Sequence, residues 1–115
     1  MSKIVIFAFR GDPMCFIHVL LNGLDLNKKG LGGKIVIEGE AVKLIPEMAK
    51  KGHFLNGLYI EAKEAGLIEG VCYACSKKLG ALDAAEEQGL KILNSMSGHV
   101  SMADFIKGGY DIVTM

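Results

Sequence analysis

Lys3-Ile-Val-Ile-Phe-Ala-Phe9, followed by Arg10-Gly-Asp-Pro13, decides the fold. The apolar run shows no polar alternation, which marks a strand buried on both faces, as in a parallel sheet. Asp12 then offers a side-chain oxygen as a helix N-cap, and Pro13 fits the first helical position, where no amide hydrogen is needed. The predicted helix places Phe16, Ile17, Leu20, Leu21 and Leu24 on one broad face and stops at Gly30. A strand feeding directly into a helix is half of a βαβ unit.

The pattern recurs outward from there. Lys34–Glu38, Leu67–Cys72, Lys91–Asn94 and Tyr110–Met115 read as further strands. Between them, 40–51, Leu55–Ala65, Ser76–Leu79, Leu82–Gln88 and a Ser101-capped segment to Lys107 read as helical pieces, most of them closed by glycine. Alternation of this kind implies right-handed crossovers and a mainly parallel sheet. The expected fold is one three-layer α/β domain over residues 1–115, with about five strands and helices on both faces.

Composition narrows the function. The chain has 115 residues, 50% of them hydrophobic, and its 13 basic side chains balance 13 acidic ones. Such a length supports a core without disulfides or structural metals. Zero formal charge removes the electrostatic basis for nucleic-acid or anionic-membrane binding. No apolar run reaches the ~18–20 residues of a membrane span, and no signal peptide precedes the first strand, so a soluble cytoplasmic protein is expected. Gly30-Leu-Gly-Gly33 precedes a strand where a nucleotide loop should follow one, and it lacks both G-x-G-x-x-G spacing and a P-loop lysine. No G-x-S-x-G or H-E-x-x-H motif is present.

In a parallel sheet, ligands gather at the carboxyl edge. That edge is expected to carry Arg10 and Cys15 after the first strand, Glu38 after the second, Cys72 and Cys75 after the third, and His99 after the fourth. Cys72-Tyr-Ala-Cys75 sits where a strand gives way to a helical turn. An ordinary thiol of pKa about 8.5 is only ~3% ionised at pH 7. Helix-start amides together with Lys77 and Lys78 are expected to favour the thiolate, while His99 is placed to move its proton. Arg10 is a candidate anion-binding residue. Glu38 and Glu40 fit a solvated loop or helix start better than an acid/base pair, His18 a packed or subunit-contact position, and His53 the surface.

Three chemistries remain open for the cysteine pair. A disulfide redox motif lacks the usual W-C-x-x-C setting. A zinc site drawn from Cys15, Cys72, Cys75 and His99 has a suitable ligand set. A persulfide carrier demands least, needing one exposed, electropositive thiolate.

Val71-Cys-Tyr-Ala-Cys-Ser-Lys-Lys-Leu-Gly80, together with Glu38-Gly-Glu-Ala-Val42 and the closing Met102–Met115 stretch, resembles the DsrE/DsrF-like (YchN-like) family. The resemblance implies a small α/β sandwich that assembles into homotrimers or hexamers. It also implies sulfur relay, in which a cysteine accepts sulfane sulfur as a persulfide from a donor protein and passes it to an acceptor protein. Cys72 matches the sulfur-carrying position; the family does not require a second cysteine at Cys75, which is here a candidate to resolve the persulfide as a disulfide. Active members often carry paired arginines where this chain has Lys77 and Lys78, and lysine lacks the bidentate fork of arginine. No cofactor is expected. The alternative expectation is a non-enzymatic oligomeric module that binds a metal or small ligand at the same edge.

Overall fold

A computed structural model describes residues 3–115. The strands are β1 (Lys3–Ala8), β2 (Gly32–Ile37), β3 (Ile68–Cys72), β4 (Ile92–Leu93) and β5 (Tyr110–Thr114). The α-helices are α1 (Pro13–Lys28), α2 (Leu44–Met48), α3 (Asn56–Glu64), α4 (Tyr73–Lys78), α5 (Leu82–Glu87) and α6 (Met102–Lys107). A 3-10 turn over Gly39–Lys43 leads into α2, where the sequence suggested one interrupted helix.

All neighbouring strands run parallel, in the order β4-β3-β2-β1-β5. The unbroken apolar run of β1 is explained by its place: it pairs with β2 on one side and β5 on the other. Val5 and Phe7 point to one face and Ile6 and Ala8 to the other, and none of the four is more than 1% exposed.

Topology then dictates the layers. The chain steps in one direction from β1 to β4, so right-handed crossovers put the intervening helices on a single face. The return to β5 runs the opposite way and puts α6 on the other face. Packing agrees. Ile6, Ala8, Ile35 and Ile37 form the thick core with Phe16 and Leu20 of α1, Ile45 and Met48 of α2, Tyr59 and Ala62 of α3, and Ala85 of α5. The thin core joins Val5, Phe7, Val36 and Cys72 to Val100, Phe105 of α6, and Tyr110 and Ile112 of β5. Helices therefore cover both faces, unequally, and Cys72 belongs to the lightly covered side.

Local signals held where local physics suffices. Asp12 caps α1, its Oδ1 accepting from the Met14 amide at 2.8 Å, and Ser101 caps α6 by accepting from the Asp104 amide. The fourth strand is shorter than expected, two residues instead of four, because β3 offers it only Val71 and Cys72 as partners. Helix α4, by contrast, begins three residues earlier than the sequence suggested, directly after Cys72.

Candidate functional site

The carboxyl edge brings together Cys72, Cys75 and His99, whose donor atoms all lie within 4.8 Å of one another. Cys72 ends β3 and is the N-cap residue of α4, so the strand fixes its backbone while the helix start carries Cys75 one turn on. His99 arrives from the loop after β4. Met96 and His99 exchange backbone hydrogen bonds of 3.0 and 2.8 Å across a tight turn, with Ser97 at φ 51° and Gly98 at φ 86°. Positive φ at both central residues is the geometry of a primed hairpin turn, which glycine adopts freely. The Gly98 carbonyl accepts from the Ala74 amide at 2.9 Å, tying the turn to the start of α4.

His99 Nδ1 stands 3.4 Å from Cys72 Sγ and 3.9 Å from Cys75 Sγ. The two thiols differ in access: Cys72 is fully buried, whereas Cys75 is partly exposed. Burial pushes the Cys72 thiol up to about 11, helped by the neighbouring Cys75 and Glu38, while the Cys75 backbone amide acts in the opposite sense. The expected depression of this thiol is thus reversed. The helix-start amide does favour the anion, but loss of hydration outweighs it. The Cys72 thiol also reaches the Gly98 carbonyl, which accepts from Sγ at 3.9 Å.

Glu38 completes the surroundings. It follows β2 in the same facing sense as Val36, is 6% exposed, and contacts Cys72. Desolvation raises its carboxyl above the ordinary value, and the Cys72 contact opposes that rise. The sequence reading placed it in a solvated loop or at a helix start; it does precede the 3-10 turn, as its N-cap residue, but it is buried. Its position two residues after Val36, on a strand buried on both faces, was the available signal. Glu38 and His99 open onto a depression of about 360 Å³ that Phe9, Met96 and Met102 also line. Those three apolar side chains are at least 36% exposed.

Other expected site residues lie elsewhere. Lys77 and Lys78 are exposed in the last turn of α4, with Lys77 Nζ 5.8 Å from the centre of the Tyr73 ring. The charges acting on the Cys72 thiol come from Cys75 and Glu38 instead. Cys15 is outside the Cys72–Cys75–His99 group; with Arg10, His18 and Met115 it lines a separate depression beside α1. The four-ligand set that included Cys15 is therefore not assembled. His18 is exposed, and His53 is half-buried, stacks on Phe54 and accepts from the Leu55 amide.

Fold and site together define a small parallel α/β protein with a dithiol–imidazole group at the sheet's carboxyl edge. The chain belongs to the family of the uncharacterized protein MJ0733 of Methanocaldococcus jannaschii, with 31% identity over 99 residues, 86% of this chain and 78% of that protein. It is also 37% identical over 58 residues to an uncharacterized protein of Archaeoglobus fulgidus, covering 50% of this chain and 93% of that one. No family model matches the sequence. Among solved structures, the conserved protein of unknown function BT1422 from Bacteroides thetaiotaomicron shares the fold, with a TM-score of 0.71 at 15% identity over 98% of this chain and 95% of that chain. Among the described residues, no helix is long and apolar enough to cross a membrane.

Proposed function

We propose that the protein is a sulfur carrier of the DsrE-like type, holding sulfane sulfur on the Cys72–Cys75 pair between a donor and an acceptor protein. The observation that carries this reading is the convergence of two thiols and one imidazole at the sheet edge, one thiol buried and one open. The division of labour follows from access. Cys75 is the receiving thiol, because a donor persulfide must reach it from solvent. Cys72, the position matched by the family resemblance, stands behind as the resolving thiol.

The chemistry needs no external oxidant. His99 takes the Cys75 proton, and the Cys75 sulfur attacks the terminal sulfur of a donor R–S–SH. The donor S–S bond breaks, R–S⁻ leaves and is reprotonated, and Cys75–S–SH forms. An acceptor thiolate then removes the same terminal sulfur. Alternatively, Cys72 attacks the inner sulfur, releasing hydrosulfide and leaving a Cys72–Cys75 disulfide. Exposed Phe9, Met96 and Met102 beside the group form an apolar rim suited to partner docking. Homo-oligomeric assembly belongs to the same reading and is tested by sedimentation.

Mass spectrometry of the reduced protein after exposure to a small persulfide donor tests the assignment. Cys72→Ser is expected to gain one sulfur on Cys75, wild type to gain that sulfur or to end as the Cys72–Cys75 disulfide with hydrosulfide released, and Cys75→Ser to gain none. Uptake on Cys72 in the Cys75→Ser protein would reverse the division of labour; absence of uptake in Cys72→Ser, with neither added sulfur nor disulfide in wild type, would remove the carrier reading.

A further inference from the structure

We propose that Cys72, Cys75 and His99 form a binding site for one Zn²⁺ ion, supplying three ligands and leaving the fourth position to a donor from solvent or substrate. The proposal goes beyond the carrier reading and does not require it. It concerns the same thiols in a different chemical state, since a zinc-bound thiolate is withheld from sulfane sulfur.

The argument is geometric. With Zn–S about 2.3 Å and Zn–N about 2.0–2.1 Å, a tetrahedral ion holds sulfur and nitrogen about 3.6 Å apart and two sulfurs about 3.8 Å apart. Here the two sulfur–nitrogen separations are 3.4 and 3.9 Å, bracketing that value, and all three donor atoms fall within 4.8 Å. The sulfur–nitrogen pairs need a few tenths of an ångström of adjustment, and the two sulfurs, within 4.8 Å of each other, close by at most about 1 Å to surround an ion. Strand β3 and the start of α4 hold the sulfurs. The Met96–His99 turn, pinned by two backbone bonds and by the Gly98 carbonyl, holds the nitrogen. The ligands thus sit on ordered backbone, a requirement for a preformed site.

Donor chemistry selects the ion. Two thiolates and an imidazole suit zinc and exclude magnesium and calcium, which take oxygen ligands. Two thiolates also balance the charge of one Zn²⁺, so the filled site brings no net charge against the thin core where Cys72 is buried. Glu38 contacts Cys72 but is not one of the three converging residues, and it lines the depression that His99 also faces. Three protein ligands with an open position is the arrangement of exchangeable or catalytic zinc, whereas a closed structural site has four.

The test is Zn²⁺ titration of the reduced, chelator-stripped full chain in competition with a chromophoric chelator, with Co²⁺ as an optical probe. The expected result is one equivalent bound, with a thiolate-to-cobalt charge-transfer band. Cys75→Ser and His99→Gln, both at positions open to solvent, are expected to weaken binding by about 100-fold or more, beyond the 10–100-fold typical of outer-shell changes. Cys15→Ser is expected to bind as wild type does. Lack of stoichiometric binding at micromolar Zn²⁺, or affinity of Cys75→Ser within about threefold of wild type, overturns the proposal. Sulfur uptake is measured separately on the metal-free protein, so that loss of one reading is not mistaken for loss of the other.

Discussion

Alkylation of the native protein sorts its thiols by both access and charge. With its pKa at about 11, Cys72 is thiolate in about one molecule in ten thousand at pH 7. An ordinary cysteine is ~3% thiolate there, about 300-fold more. Intrinsic nucleophilicity rises with pKa and returns about tenfold of that difference. The remaining deficit is about 30-fold, before the steric barrier of a fully buried sulfur is counted. Iodoacetamide labelling followed by peptide mass mapping should therefore show Cys72 modified at least about 30-fold more slowly than free cysteine at pH 7. Its rate should climb about tenfold per pH unit from pH 7 to pH 10, without levelling off. Cys75, partly exposed, should be modified before Cys72. A Cys72 rate that levels off by pH 8 would refute the reasoning, because it would mean that His99 already holds the Cys72 proton in a thiolate–imidazolium pair.

Other expectations follow from the same geometry. Cys72 has a raised folded pKa, so the stability associated with its neutral form is complete below the unfolded value of about 9 and is lost as pH rises from 9 towards 11; denaturant midpoints of wild type and Cys72→Ala, measured across that range, should converge with increasing pH. Glu38 obeys the same sign: its carboxyl is raised, so the fold favours the protonated form and loses stability as pH rises from about 4.5 through the folded value. Glu38→Gln should accordingly gain melting temperature relative to wild type at pH 7 but not at pH 4. Tyr59 is buried and donates to Gln88 Oε1, while Gln88 Nε2 donates to the Ile45 carbonyl at 3.0 Å. Tyr59→Phe strands that acceptor and should cost about 1–3 kcal/mol, read by urea denaturation. A Cβ on Gly70 would lie 2.6 Å from Leu93 Cγ and 2.8 Å from the Lys91 carbonyl oxygen; Gly70→Ala should displace the two-residue β4 and cost about 1–3 kcal/mol.

Sheet and layers were legible because they depend on local patterns that the packing then reuses. The apolar run of β1 encodes its central place, and Asp12-Pro13 encodes the start of α1. Cys72, Cys75 and His99 were legible as residues near one edge, since strand ends of a parallel sheet share it. Their contact distances were not, because these depend on the Met96–His99 turn and on its attachment to Ala74, a long-range hydrogen bond with no sequence signature. The electrostatics were misread for a related reason. Lys77 and Lys78 follow Cys75 by two and three residues in sequence, but they extend from an exposed helical turn while the sulfur of Cys72 points into the thin core. Burial, a property of the assembled layers, then outweighs nearby sequence charge. Glu38 was legible as an edge residue, but its burial was not, because acidic residues are mostly exposed and only the strand's facing sense argues otherwise.

Delivery of sulfur tests the central claim most directly. Metal-free protein loaded with heavy-isotope sulfane sulfur should carry the label on the Cys72–Cys75 peptide, never on Cys15, and should surrender it to an added acceptor thiol as an intact persulfide. Label found on Cys15, or label on the pair that no acceptor thiol can remove, would contradict it.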